Sequence, residues 1–160
     1  MAIALQYSVM DSPLGSLTIA SSGKGLAFVH FGLNMPANGV IDDEINREAI
    51  QQLQDYFEGK RTQFDLPLDL QGTPFQLAVW DELLKIPYGS TCSYIEIARA
   101  LGKPGAARAV GMANHENPVA VVVPCHRVIG SNGSPTGYAG GLHIKQQLLG
   151  IEQQAQLLFT

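Results

Sequence analysis

Residues 93–116 read SYIEIARALGKPGAARAVGMANHE, and this stretch decides the fold of the second half of the chain. Ser93 and Glu96 stand at capping-box spacing, which predicts a helix opening at Tyr94 and running through SYIEIARAL until Gly102 ends it. A tight GKPG turn follows, and AARAVGMANHE predicts a second helix. Two helices across a short glycine-containing turn make a helix-turn-helix. The second helix is odd for one that reads base edges. Ala106, Ala107, Ala109, Gly111 and Ala113 carry almost no side chain, and Arg108 is the only long basic group on the segment. Two readings stay open: close packing against another helix, or a backbone that sits near a narrow groove while one long cation enters the duplex.

Upstream, Thr73 is placed to cap a helix whose first position is Pro74. Phe75, Val79, Trp80, Leu83 and Leu84 share one face before Pro87 stops it, and Trp80 reads as core. Before Thr73, KRTQFDLPLDLQG reads as an extended, proline-interrupted connection, which puts a domain boundary near Gly72. In the N-terminal part, LQYSVM, SLTIAS and LAFVHFG alternate with the turn segments DSPLG and SGKG, predicting an antiparallel meander of three strands. Ile45, Ala49, Leu53 and Phe57 recur every four residues and predict one helix, with Gly59 as its stop, packed on that sheet. The expected class is α+β: residues 1–72 form a small sheet-containing domain and residues 73–160 a helical one. No internal repeat interrupts this order.

Composition narrows the function classes. The chain has 160 residues, 46% of them hydrophobic and 15% charged, as expected of a globular protein with a buried core. No apolar run approaches the ~20 residues that span a bilayer, and the N-terminus lacks signal-peptide order, so a cytoplasmic protein without membrane contact is expected. Only Cys92 and Cys125 are present, with no CxxC or HxxxH spacing, which indicates neither a disulfide framework nor a structural zinc site. The net charge of −4 is uneven: residues 1–87 carry −6, residues 88–150 carry +3 and residues 151–160 carry −1. Any phosphate contact is thereby confined to the second half.

The chemistry concentrates in VAVVVPCHRVIG, residues 119–130, where a cysteine and a histidine follow what reads as an apolar strand. A free thiol ionises near pH ~8.5, so it attacks well near neutrality only beside a group that favours the thiolate. His126 is the nearest candidate. On an extended backbone Cys125 and His126 would point to opposite sides, unless Pro124 bends them or a water bridges. A carboxylate should orient the imidazole, and Glu152, on a short helix GGLHIKQQLLGIE, is the only acid after Glu116. An inert buried thiol is the alternative. Cys92, in GSTCSY, has no activating partner within reach of its spacing.

These residues carry a resemblance. TPFQLAVWDELLKIPYG, SYIEIARALGKPGAARAVG, NPVAVVVPCHRVIGSNGSPTGYAGG and the terminal K…LLGIE, in this order and spacing, are similar to the catalytic domain of the O6-alkylguanine-DNA alkyltransferases. The N-terminal half, SPLGSLTIASSGKGLAFVHF included, resembles that family's first, ribonuclease H-like domain more loosely. The resemblance implies a winged-helix-like second domain that binds duplex DNA through the minor groove as a monomer and flips out an O6-alkylguanine. Cys125 then takes the alkyl group, once, without a cofactor. It further implies that His126, through a water, draws the proton from Cys125, that Glu152 supports His126, and that Tyr94 donates to the departing guanine. Arg108 would hold the place of the extruded nucleotide, with Ala107 and Gly111 on the same DNA-facing helix. Asn117 would be the hinge before the active-site strand. The backbone of Val128 would read the guanine amine, Tyr138 and Ala139 would close over the base, and Lys145 would help near the thiol.

The departures from the family are informative. Some members hold zinc in the first domain, but the cysteines for it are missing, so no metal is expected. His115 and Glu116 end the recognition helix, an acidic choice near phosphate, and position 120 is alanine where some relatives have proline. Alternatives of other classes are a Cys-His hydrolase or acyl transferase, which would turn over many substrates, and a helix-turn-helix module without chemistry.

Overall fold

The computed structural model describes residues 4–130 and 141–158. The chain is an α+β protein whose contacts divide it into two compact units: residues 1–71 with 118–120, and residues 72–117 with 121–160.

In the first unit β1 (Gln6–Ser12), β2 (Gly15–Ser21) and β3 (Leu26–Phe31) form the expected antiparallel meander. A two-residue strand the sequence did not announce, β4 (Val40–Ile41), pairs in parallel with β1 and makes the sheet mixed, in the order β3-β2-β1-β4. The central strand β2 is buried over Leu17–Ser21, so alternation fails there because both of its faces are covered. Helix α1 (Arg47–Phe57) buries Ala49, Gln52, Leu53 and Tyr56. The four-residue stripe read from the sequence is therefore only half right. Ile45 lies before the helix and is exposed, and Phe57 is half-buried, with Tyr56 taking the inward place. A strict spacing of four drifts about 40° per step around a helix of 3.6 residues per turn, so a stripe from 45 to 57 cannot stay on one face. Gly59 does end α1, at φ 76°, with Gly59 N–H on Tyr56 O and Lys60 N–H on Asp55 O, the two bonds of a Schellman motif.

The connection after α1 is extended, as its prolines suggest. Leu26 N–H donates to Pro67 O, Asp69 N–H donates to Leu26 O, and the Asp65 backbone is gripped at both groups by the buried Gln52 amide. Residues 118–120 run parallel to β3, pairing through Val29.

The second unit opens with α2 (Pro74–Leu83), capped reciprocally by Thr73 and Gln76. It buries Val79, Trp80 and Leu83, whereas Leu84 lies past its end and is exposed. Gly72 is needed here, since a Cβ at that position would come within 2.7 Å of the Trp80 ring. The strand pair β5 (Cys92–Ser93) and β6 (Val128–Ile129), also unannounced, runs parallel and fixes the start of α3 (Tyr94–Ala100) beside Val128. Ser93 and Glu96 form the predicted capping box, and Gly102, at φ 71°, closes α3. Helix α4 (Ala107–His115) follows and packs on both α2 and α3, completing the helix-turn-helix. The last helix, α5 (Leu142–Leu158), is longer than the sequence suggested. Among the described residues, no helix is long and apolar enough to cross a membrane.

Candidate active site

The run Val119–Val123 is not a strand. Only Val119 makes a bridge, and Val121 takes φ 71°, a left-handed conformation rare for a β-branched residue, which turns the chain back. Asn117 Nδ2 donates to Val123 O at 2.9 Å and so spans this turn from its start to its end. Beyond Pro124 the chain makes one 3-10 turn over Cys125–Arg127. Successive side chains on such a turn stand about 120° apart, so Cys125 and His126 are not on opposite sides as they would be on an extended chain. The bend is at Pro124.

All of this is buried. Cys125 is 4% exposed, and His126 and Lys145 are fully enclosed. α5 brings Glu152 back onto the turn, where Glu152 Oε2 lies 2.7 Å from His126 Nε2. Because an ionised carboxylate only accepts, Nε2 carries the proton. Nδ1 is then the lone-pair nitrogen, and it is buried with no hydrogen-bond partner among the described residues. Burial lowers His126 below its ordinary value; Glu152 pulls it up, and Arg127 and Lys145 push it down. Burial alone would raise the Glu152 carboxyl, but hydrogen bonds and charge from His126 and Arg127 overcome it and hold it at about 2. The array is thus a neutral imidazole on an ionised carboxylate.

Lys145 Nζ donates to the carbonyl of Val128, so a cation stands between α5 and β6. Burial pushes its ammonium down to about 8 against the attraction of Cys125, which raises it. Tyr94, the first residue of α3, packs half-buried against α4: a Cβ placed on Gly111 would sit 3.8 Å from its ring, an ordinary contact. Packing inside the protein therefore does not demand glycine at 111. Ala107 is half-buried, Arg108 and Ala109 are exposed, and of the small residues on α4 only Ala113 is buried. The small face is largely an outward one, against the close-packing reading. Tyr138 and Ala139 lie outside the described residues.

Three residues escaped the sequence reading. Arg127 donates from Nε and Nη2 to both oxygens of Glu152, and from Nη1 to Ile86 O. Nothing but its place in the Cys-His-Arg triplet signalled this, since an arginine in isolation reads as surface. Asn114 Nδ2 donates to Cys125 O at 3.3 Å, a role hidden among the polar residues ending α4. Met112 is 71% exposed on the same face as Arg108, four residues on, so that face is not uniformly small. Cys92, by contrast, is half-buried, and burial together with Glu96 and Glu82 raises its thiol. Among the described residues, no group of three His, Cys, Asp or Glu side chains could hold a metal ion.

Fold and site together define an α+β protein in which a buried Cys-His-Glu array sits directly behind the second helix of a helix-turn-helix. Residues 74–154 match the DNA-binding domain of 6-O-methylguanine DNA methyltransferase and residues 5–70 its ribonuclease-like domain. Methylated-DNA–protein-cysteine methyltransferase of Methanosarcina barkeri is 47% identical over 154 residues, covering 93% of this chain and 98% of its own. That of Mycobacterium bovis is 48% identical over 153 residues, 93% of each. The crystal structure of Mycobacterium tuberculosis OGT in complex with DNA superposes with a TM-score of 0.90 at 48% identity over 94% of each chain. The chain belongs to the 6-O-methylguanine DNA methyltransferase family.

Proposed function

We propose that this protein repairs DNA by direct reversal, moving the alkyl group of O6-alkylguanine, and of O4-alkylthymine, in duplex DNA onto its own Cys125. The transfer is irreversible and happens once. The observation that carries the reading is the 2.7 Å bond between His126 and Glu152. It commits the Nε2 proton and leaves the buried Nδ1 as a base one residue from the thiol. Through a water, Cys125 passes its proton toward Nδ1, and the resulting thiolate attacks the alkyl carbon in line. The S–C bond forms as the C–O6 bond breaks, and its electron pair stays on the base. Tyr94 donates a proton to the ring as this charge develops and regains one from solvent as His126 releases to solvent the proton taken from the thiol. The proton lost by Cys125 is thus balanced by one gained by guanine. No cofactor is needed to balance the step. Lys145 favours the thiolate by its charge.

Domain 73–160 presents α4 to the minor groove, where Ala107 and Gly111 allow a close backbone approach and Arg108 fills the gap left by the flipped nucleotide. Asn117 fixes the turn behind the thiol, the Val128 backbone reads the guanine amine, and Tyr138 and Ala139 close over the base. Domain 1–72 is the scaffold, and the protein acts as a cytoplasmic monomer. Intact-mass measurement after incubation with an oligonucleotide containing O6-methylguanine tests the reading. One methyl per chain, mapped to Cys125, is expected. Repeated turnover would favour a hydrolase or acyl transferase, and DNA binding without mass gain a non-catalytic module.

A further inference from the structure

The buried carboxylate of Glu152 accepts from His126 Nε2, from two nitrogens of Arg127 and from Gly89 N–H at 3.2 Å. Orienting an imidazole requires only a carboxylate, yet a second, stronger partner occupies both of its oxygens. Arg127 is in turn fixed by Ile86 O at 2.7 Å and by its guanidinium lying 5.6 Å from the Tyr88 ring centre. It is 6% exposed, so its charge acts at low dielectric.

The electrostatics give this arrangement a purpose. An ionised carboxylate beside an imidazole stabilises the imidazolium, and the effect grows with burial. Were Glu152 the only charge near His126, the ring would hold two protons near neutrality and could not accept a third from the thiol. Among the described residues, the charges acting on His126 are Glu152 and Lys145 from α5 and Arg127 from its own turn, while Cys125 acts on Lys145. Of these, Arg127 is the cation that grips the carboxylate itself. We infer that Arg127 is a positioning residue for alkyl transfer: its two-pronged grip on Glu152 cancels the carboxylate charge without releasing its hydrogen bond, keeping His126 a neutral base toward Cys125. The balance is consistent with His126 lying below its ordinary value despite a carboxylate at hydrogen-bond distance.

This inference rests on Cys125 being the alkyl acceptor, but its decisive test does not need alkylated DNA. Full-length protein labelled with 15N-histidine is titrated by NMR, and the single-turnover methyl-transfer rate is followed against pH in parallel. Arg127→Met should move the His126 ionisation upward by about one pH unit or more. Its rate should fall on acidification, approaching about tenfold for each pH unit the ionisation moves where the pH lies below both ionisations, and converge on wild type near pH ~9. Glu152→Gln should move the same ionisation downward, because Arg127 is then unopposed. The Arg127→Met/Glu152→Gln double variant, with no unpaired charge, should return it toward wild type. If Arg127→Met does not fold, the opposite shifts of Glu152→Gln and the double variant relative to it decide the matter. An unmoved ionisation, or a rate lowered equally at every pH, overturns the inference. A protein that transfers no methyl yet shows these shifts overturns the proposed function instead.

Discussion

Asn114, near the end of α4, donates from its side-chain amide to the carbonyl oxygen of Cys125 across 3.3 Å in a buried contact. Its neighbour Ala113 offers its own carbonyl to the indole N–H of Trp80 at 2.8 Å. Two consecutive residues thus tie the exposed helix inward, one to the core of α2 and the other to the nucleophile. The second helix of the helix-turn-helix is in this way one hydrogen bond from the turn that carries Cys125.

Replacing Asn114 with leucine keeps the volume and removes one donor to the Cys125 carbonyl, which retains the backbone N–H of Val128. Losing one buried hydrogen bond costs about 0.5–1.5 kcal/mol, to be read as a lower urea midpoint at unchanged slope. Methyl transfer should slow by about tenfold, equivalent to ~1.4 kcal/mol in the barrier, while affinity for undamaged duplex holds. Equal losses in affinity and rate would show that Asn114 supports the helix rather than the thiol.

The two thiols predict opposite outcomes. Cys125 has a base and a cation beside it, whereas Cys92 is raised by burial and two glutamates. Cys92→Ser should take up a full equivalent of methyl, and Cys125→Ala none while still binding duplex. A methyl mapped to Cys92 would falsify the assignment.

Lys145 should trade stability for activity. Its ammonium is fully enclosed and held at about 8, against about 10.4 in an unfolded chain. Because the unfolded state binds the extra proton, stability should rise with pH between about 8 and 10.4, and the charge should be destabilising at neutrality. Lys145→Met is therefore expected to raise the thermal midpoint at pH 7, to flatten the rise above pH 8, and to slow methyl transfer by removing the cation near Cys125. A lower midpoint would mean that its bond to the Val128 carbonyl outweighs the cost of burial.

What could be read beforehand was what depends on neighbours in sequence. The caps at Thr73 and Ser93, the stops at Gly59 and Gly102, and the meander are local, and each formed where its residues predicted. Glu152 was legible because it is the only acid after the thiol. The run through Val121 misled because five apolar, mostly β-branched residues favour a strand by propensity, while tertiary bonds through Asn117 and Val29 hold a turn there instead. Arg127 and Asn114 act on atoms distant in sequence, and no spacing rule reaches Ile86 or Glu152 from position 127. The strands β4, β5 and β6 are two residues each, too short to show any period.

Glu152 sets an acid limit. Its folded carboxyl lies at about 2, below the ~4.3 of an unfolded glutamate. A depressed carboxyl contributes stability that is fully present above ~4.3 and lost as pH falls toward 2, on the order of 3 kcal/mol across that window. His126, held neutral by burial, adds a loss below about 6.5, since the unfolded ring takes the proton first. Unfolding free energy should therefore decline in two stages on acidification. Glu152→Gln should remove the lower stage, and if the decline between pH 4 and 2 persists unchanged, another carboxylate is responsible.

The outward face of α4 carries Arg108 and, one turn later, Met112. Both fit a helix that opens a duplex: a long cation to stand in the vacated stack, and an apolar side chain to press on the base step beside it. Salt dependence separates this from phosphate binding. Each phosphate contact contributes about 0.9 to the slope of log affinity against log salt. Arg108→Ala should weaken binding and slow repair with that slope nearly unchanged, because a side chain inside the stack displaces few counterions. Met112→Ala should weaken binding to a similar or smaller degree, again at constant slope, while Met112→Leu keeps the wedge and stays near wild type. A slope reduced by about one unit in Arg108→Ala would place its guanidinium on a phosphate. Met112→Ala with undiminished affinity would take the methionine out of the interface.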